Sequence, residues 1–214
     1  MRPIGKHWLL LVPALGLAAL LLVMGAALGP LWWPRTADTA NTVRLTDAEI
    51  DFAQDMSVHH EQAIFLTQNL DKGADPAIVT LAQQVSANQI QEIGTMRGWL
   101  MLIEAPLRPG PEAAPQHAGM AMPQHPPAAM PGMATWDEIN ALGRAKGRDA
   151  EIHFLQLMIR HHRGGIDMAQ AAIPRLNSAA VARVARGMIQ DQTQEIGYMS
   201  LLLRQRGESP LPYP

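Results

Sequence analysis

Between Thr46 and Leu70, apolar side chains fall at Phe52, Met56, Ala63, Leu66 and Leu70, and His59 fills the remaining place in that 4-3-4-3-4 spacing. This is the seam of a helix packed in a bundle. Thr46-x-x-Glu49 has the form of a capping box and predicts the helix start. The turn DKGADP, from Asp71 to Pro76, places a proline where a helix can begin, and a second helix is predicted from about Ala77 to Ile103. Together the two form a helical hairpin.

The pattern then recurs. FAQDMSVHHEQAI from Phe52 aligns without a gap with FLQLMIRHHRGGI from Phe154, 102 residues on, and QEIGTM from Gln91 matches QEIGYM from Gln194, 103 residues on. The turn IPRLNS can absorb the extra residue. Two hairpins, 45–104 and 137–207, each leave an apolar face uncovered, and packing them together gives an all-α four-helix bundle. Between them, residues 105–136 are rich in Pro and Gly and poor in large apolar residues, which predicts a disordered or loosely draped linker.

Ahead of the bundle, Trp8 to Trp33 runs without a charge behind Arg2 and Lys6. That is long enough to cross a membrane, and the basic flank places everything after Arg35 outside the cytoplasm. Residues 1–35 are therefore expected to be a cytoplasmic stub and a transmembrane anchor, or a signal segment that is cleaved to release a secreted protein. Gly25-x-x-x-Gly29 would let two such helices approach as a homodimer.

Composition narrows the chemistry. Lys and Arg number 17 against 19 Asp and Glu, so no basic surface awaits nucleic acid. Cysteine is absent while methionine reaches 13 residues, so any soft-metal chemistry falls to thioether and imidazole. His59 lies in the seam of the first helix, and His60 lines the edge of the same face beneath Met56. Met158, His161 and His162 repeat them. In the second helix of each hairpin, Glu92 and Met96, then Glu195 and Met199, fall on the seam with Gln89 and Gln192. Buried carboxylates need partners, and the histidines are the obvious ones.

One reading makes His59 and His161 core histidines held by Glu92 and Glu195. The other makes each His-His group, with its Met and Glu, a metal site. Arg160 and Arg163 flank the second group and disfavour a cation there. The linker adds an independent set, His117, Met120, Met122, His125, Met130 and Met133, within seventeen residues that need no methionine for packing. Such a set suits Cu(I) above all, with Cu(II) second.

Met-x-x-His-His-x-x-x-Ile followed by Gln-x-x-Glu-Ile-x-x-Met is similar to the bacterial family known as domain of unknown function 305. It is carried by Met56, His59, His60 and Ile64 with Gln89, Glu92, Ile93 and Met96, and again by Met158, His161, His162 and Ile166 with Gln192, Glu195, Ile196 and Met199. The resemblance implies a ferritin-like four-helix bundle in secreted or membrane-anchored proteins, some of which bind copper through Met and His and are associated with copper tolerance. This chain departs from the pattern at Phe65, where the second repeat has Asp167, and at Gly164 and Gly165, which weaken their helix.

The expected function is thus an extracytoplasmic, membrane-anchored copper-binding protein for storage, detoxification or delivery, without turnover, exchanging copper with a copper-handling protein partner. The alternatives are a metal-free membrane-tethered scaffold for protein interaction and a copper-dependent redox enzyme. A di-iron oxidase would need Glu-x-x-His motifs, and the sequence has none.

Overall fold

The computed structural model describes residues 44–110 and 130–213, and in them the chain is helical, with no strand. Four long helices, α1 (Asp47–Gln68), α2 (Pro76–Leu102), α4 (Gly147–Ala172) and α5 (Ala179–Gln205), are joined by a short α3 (Trp136–Arg144) and a 3-10 turn (Ile173–Arg175). Among these residues no helix is long and apolar enough to cross a membrane. The apolar stretch Trp8 to Trp33, predicted as an anchor, lies outside them, as do His117, Met120, Met122 and His125.

Local chemistry sets the helix ends. Glu49 Oε2 accepts the Thr46 N–H at 2.8 Å, closing the predicted capping box, and Glu49 Oε1 accepts the Ser178 N–H at 2.5 Å. One carboxylate therefore ties the start of α1 to the start of α5. Pro76 opens α2, where Asp75 Oδ1 accepts the Ala77 N–H at 2.8 Å. The second hairpin is preceded by a break that the hydrophobic pattern does not announce. Ala145 is extended after α3, and Gly147 takes φ +51° with its N–H donated to Asp71 Oδ2 at 3.0 Å. That left-handed conformation suits a residue without Cβ.

α1 packs on α2, α4 on α5, and the hairpins meet along α1 and α4. The two central helices run antiparallel, because the late residues Ala63 and Leu66 of α1 share a core cluster with the early residues Phe154 and Met158 of α4. The early residues Phe52 and Met56 share the other cluster with Ala169 near the end of α4. α1 is more deeply enclosed than its seam predicts: every residue from Phe52 to His60 is buried, including Gln54, whose Nε2 donates to the Pro106 carbonyl at 2.6 Å. Residues on both flanks of the linker, as well as the neighbouring helices, cover it.

Candidate metal centre

The antiparallel meeting of α1 and α4 brings the two His-His pairs together between the two apolar clusters. The His59 and His161 rings lie 3.9 Å apart by centroid, and each is 6.3 Å from its own chain neighbour, His60 or His162. The two separate sites anticipated from the repeat are therefore one four-histidine layer. All four side chains are at most 1 % exposed.

The carboxylates reach the other histidine of each pair from the one expected. His60 Nε2 donates to Glu92 Oε2 at 2.7 Å, and His162 Nε2 to Glu195 Oε2 at 2.5 Å. Glu92 and Glu195, 17 % and 15 % exposed, sit at the partly buried edge of the layer, where the seam was predicted to bury them fully. Asn88 Nδ2 donates to Glu195 Oε1 at 2.8 Å and links α2 with α5 there. His59 Nε2 instead donates to the Pro131 carbonyl, and His161 Nε2 to the His59 carbonyl, each at 3.1 Å.

These partners fix the tautomers. A carboxylate or carbonyl oxygen only accepts, so Nε2 carries a proton in each ring, and in the neutral ring Nδ1 is left as a bare lone pair. Nδ1 of His59, His60 and His162 has no hydrogen-bond partner. A buried acceptor left unpaired costs about 1–3 kcal/mol. Metal-bound histidines have the same arrangement, with the ring N–H held by a carboxylate or carbonyl and the opposite nitrogen free to ligate.

Burial, reinforced by the charge of His60, pushes the His59 pKa down to about 3 against the Pro131 hydrogen bond. Burial and the neighbouring histidines take His161 well below its ordinary value. Both rings are neutral near pH 7, the form that binds metal. Burial works to raise Glu195, but the hydrogen bond and charge of His162 and the Asn88 bond outweigh it, so the carboxylate titrates below the usual range. Burial and the charges of Glu92 and Glu195 raise Asp191, which places a third carboxylate near this rim.

Met56, Met96, Met158 and Met199 are fully buried, the first two in the cluster on one side of the histidine layer and the last two in the cluster on the other. Among the described residues no three His, Asp or Glu side chains are grouped to hold an ion. The buried soft donors on either side of the layer are thioethers, and imidazole with thioether is a donor set that suits copper. Arg160, which was expected to repel a cation, is instead occupied: its Nη1 and Nη2 each donate to Glu138 at 2.7 Å, and this pairing drives Glu138 down to about 2.

The end of the linker is packed, contrary to the draped segment expected. Met130 is 7 % exposed, Ala134 is buried, and Met133 is half-buried. Gln62, Gly164 and Glu138 take part in this packing or neighbour it, and none was singled out from the sequence for that role. The signal was present in the repeat, where Gln62-Ala63 of one copy stands against Gly164-Gly165 of the other.

The sequence profile of the domain of unknown function DUF305 matches residues 49–203. The chain belongs to this family. A DUF305 protein from Streptomyces coelicolor, described as secreted, is similar at 35 % identity with a TM-score of 0.64, covering 78 % of this chain and 98 % of that one. A DUF305 fragment from Deinococcus radiodurans follows at 27 %, TM-score 0.61, covering 75 % and 98 %. CopM shares the fold in its Cu(II)-bound form at 24 % identity and TM-score 0.55, and in its Cu(I)-bound form at 21 % and 0.56, each covering 73 % of this chain and 96 % of that one. Comparison with curated proteins returns no significant match.

Proposed function

We propose that this DUF305 protein binds copper outside the cytoplasm, for storage, detoxification or delivery, with the ion as cargo and no catalytic turnover. The observation that carries this reading is the set of three buried imidazole Nδ1 atoms without partners, on rings whose Nε2–H groups are already held by Glu92, Glu195 and the Pro131 carbonyl. A layer that only fixed register would gain nothing from leaving three acceptors unpaired. On this reading the histidines ligate through Nδ1, Met56, Met96, Met158 and Met199 supply thioether sulfur from the flanking clusters, and Glu92 and Glu195 orient the rings. The CopM structures, which hold copper in both oxidation states on this fold, support the choice of metal. The secreted Streptomyces relative and the uncharged stretch from Trp8 to Trp33 support an extracytoplasmic domain, anchored through that stretch.

The test is a titration of the full chain with Cu(I), under reducing conditions, against a competing chelator. Wild type should hold Cu(I) against the chelator, and replacing His60 and His162 together by Ala should weaken this at least tenfold. Linker Met to Leu changes should remove a further part. If the wild-type chain shows no competition, the metal reading fails and the four histidines are a structural polar layer.

A further inference from the structure

The linker meets the histidine layer through one short segment. The Pro131 carbonyl accepts the His59 Nε2–H at 3.1 Å. Three residues on, both backbone groups of Ala134 are gripped by one side chain: its N–H donates to Gln62 Oε1 at 2.7 Å, and its carbonyl accepts from Gln62 Nε2 at 2.9 Å. The approach is so close that a Cβ on Gly164 would lie 1.9 Å from the Pro131 carbonyl oxygen, and one on Gly132 2.4 Å from the Arg160 carbonyl oxygen. Gly132 also has φ +76°, a conformation that side chains disfavour. A contact that needs glycine on both surfaces and a two-point amide grip is specific docking.

Docking also accounts for Met130, which a solvated tract would have no reason to bury. Met130 adjoins Pro131, and Met133 adjoins Ala134, the residue that Gln62 grips. Thioether donors thus stand on either side of the residue bonded to His59. We infer that Gln62 is a positioning residue that docks Met130–Ala134 on the histidine layer, so that Met130, Met133 and His59 form one shared soft-ion site joining linker and bundle. This inference rests on the copper reading above and specifies where the linker delivers its ion.

Brief peroxide pulses on the full chain, mapped by peptide mass spectrometry, together with NMR of the histidine rings, test it. Met101, 66 % exposed, is the internal reference. In the wild type without metal, Met130 should oxidise at least tenfold more slowly than Met101, and Gln62→Leu should abolish that difference. Gly164→Ala should do the same by displacing the segment without touching Gln62. Circular dichroism checks that both variants stay helical. With chelator-buffered Cu(I), Met133 should become protected and the His59 ring resonances should shift together in the wild type, whereas in both variants the His59 shift should need at least tenfold more free Cu(I). An unchanged joint response in Gln62→Leu overturns the positioning role. Shifts of His60 and His162 without a response of His59 and Met133 overturn the shared site alone. Absence of any histidine shift overturns the copper reading and this site with it.

Discussion

The two His-His turns begin from nearly the same string and end in unlike surroundings. His60 and His162 are equivalent, each buried and each donating to a glutamate one helix away. His59 and His161 are not: one donates to Pro131 from the linker, the other to the carbonyl of His59 itself. Around them Gln62 faces the segment that Gly164 makes room for, and Arg160 stands where the first repeat has Val58. Perfect two-fold symmetry would require two linkers, and the chain has one. One repeat therefore supplies the grip and the other the space. Duplication fixes the paired chemistry, and connectivity decides where the copies diverge.

The largest expected effect is one that the two repeats share. His59 and His161 are held neutral in the fold, His59 down at about 3 from an ordinary 6.5. Between those values the unfolded chain binds protons that the folded chain refuses. Stability is therefore full above about pH 7 and falls as acid is added, by about 1.4 kcal/mol per pH unit for His59, with His161 acting in the same direction. His59 alone should remove roughly 3 kcal/mol over two units, read from urea unfolding at pH 7.5, 6.5, 5.5 and 4.5. His59→Gln and His161→Gln should each lower the slope. A slope unchanged in either variant would show that burial in the fold does not hold that ring neutral.

Gly164→Ala probes the asymmetry directly. Its Cβ would meet Pro131 backbone from which neither side can easily retreat, so a loss of about 3 kcal/mol is expected, at the upper end of ordinary overpacking. Gln62→Ala, at the matching position of the first repeat, leaves the Ala134 N–H and carbonyl without partners and should cost about 1–3 kcal/mol. Their double variant should cost less than the sum, because both act on one segment. Strict additivity in denaturant melts would mean that they do not.

Copper affinity should return to symmetry. If Glu92 and Glu195 orient rings that ligate through Nδ1, Glu92→Gln and Glu195→Gln should each weaken Cu(I) binding by about 10–100-fold, the usual toll of losing an orienting partner. The measurement is the same chelator competition. A loss confined to one of the two would assign the ion to that half of the layer.

What the sequence made legible was mostly local or repeated. The capping box at Thr46 and Glu49 and the proline start at Pro76 depend on neighbours within a turn, and the structure has both. Matching Phe52 with Phe154 exposed the hairpin pair, since duplicated helices must bury duplicated faces. Which glutamate meets which histidine was not legible: His59 and His60 differ by about 100° around the helix, and crossing geometry chooses between them. The merging of two sites into one layer has the same origin, because it follows from α1 and α4 meeting at their middles. The packed linker end depends on contacts 72 residues apart in sequence, such as Gln62 with Ala134. Composition alone could only describe that segment as Pro- and Gly-rich.

The smallest effect tests how far the asymmetry spreads. Gly94 and Gly197 are matching exposed positions inside α2 and α5, and a Cβ at either would meet nothing within 4 Å. Glycine within a helix costs about 1 kcal/mol relative to alanine, chiefly through the freedom it gives the unfolded chain. Gly94→Ala and Gly197→Ala should therefore each stabilise by up to about 1 kcal/mol, raising Tm by a few degrees. A Cβ at either position touches no part of the segment that Gln62 grips, so the two gains should agree within about 0.5 kcal/mol. Unequal gains would show that the single linker biases the outer helices as well, and that the symmetry of the two hairpins is confined to the His60 and His162 pairs.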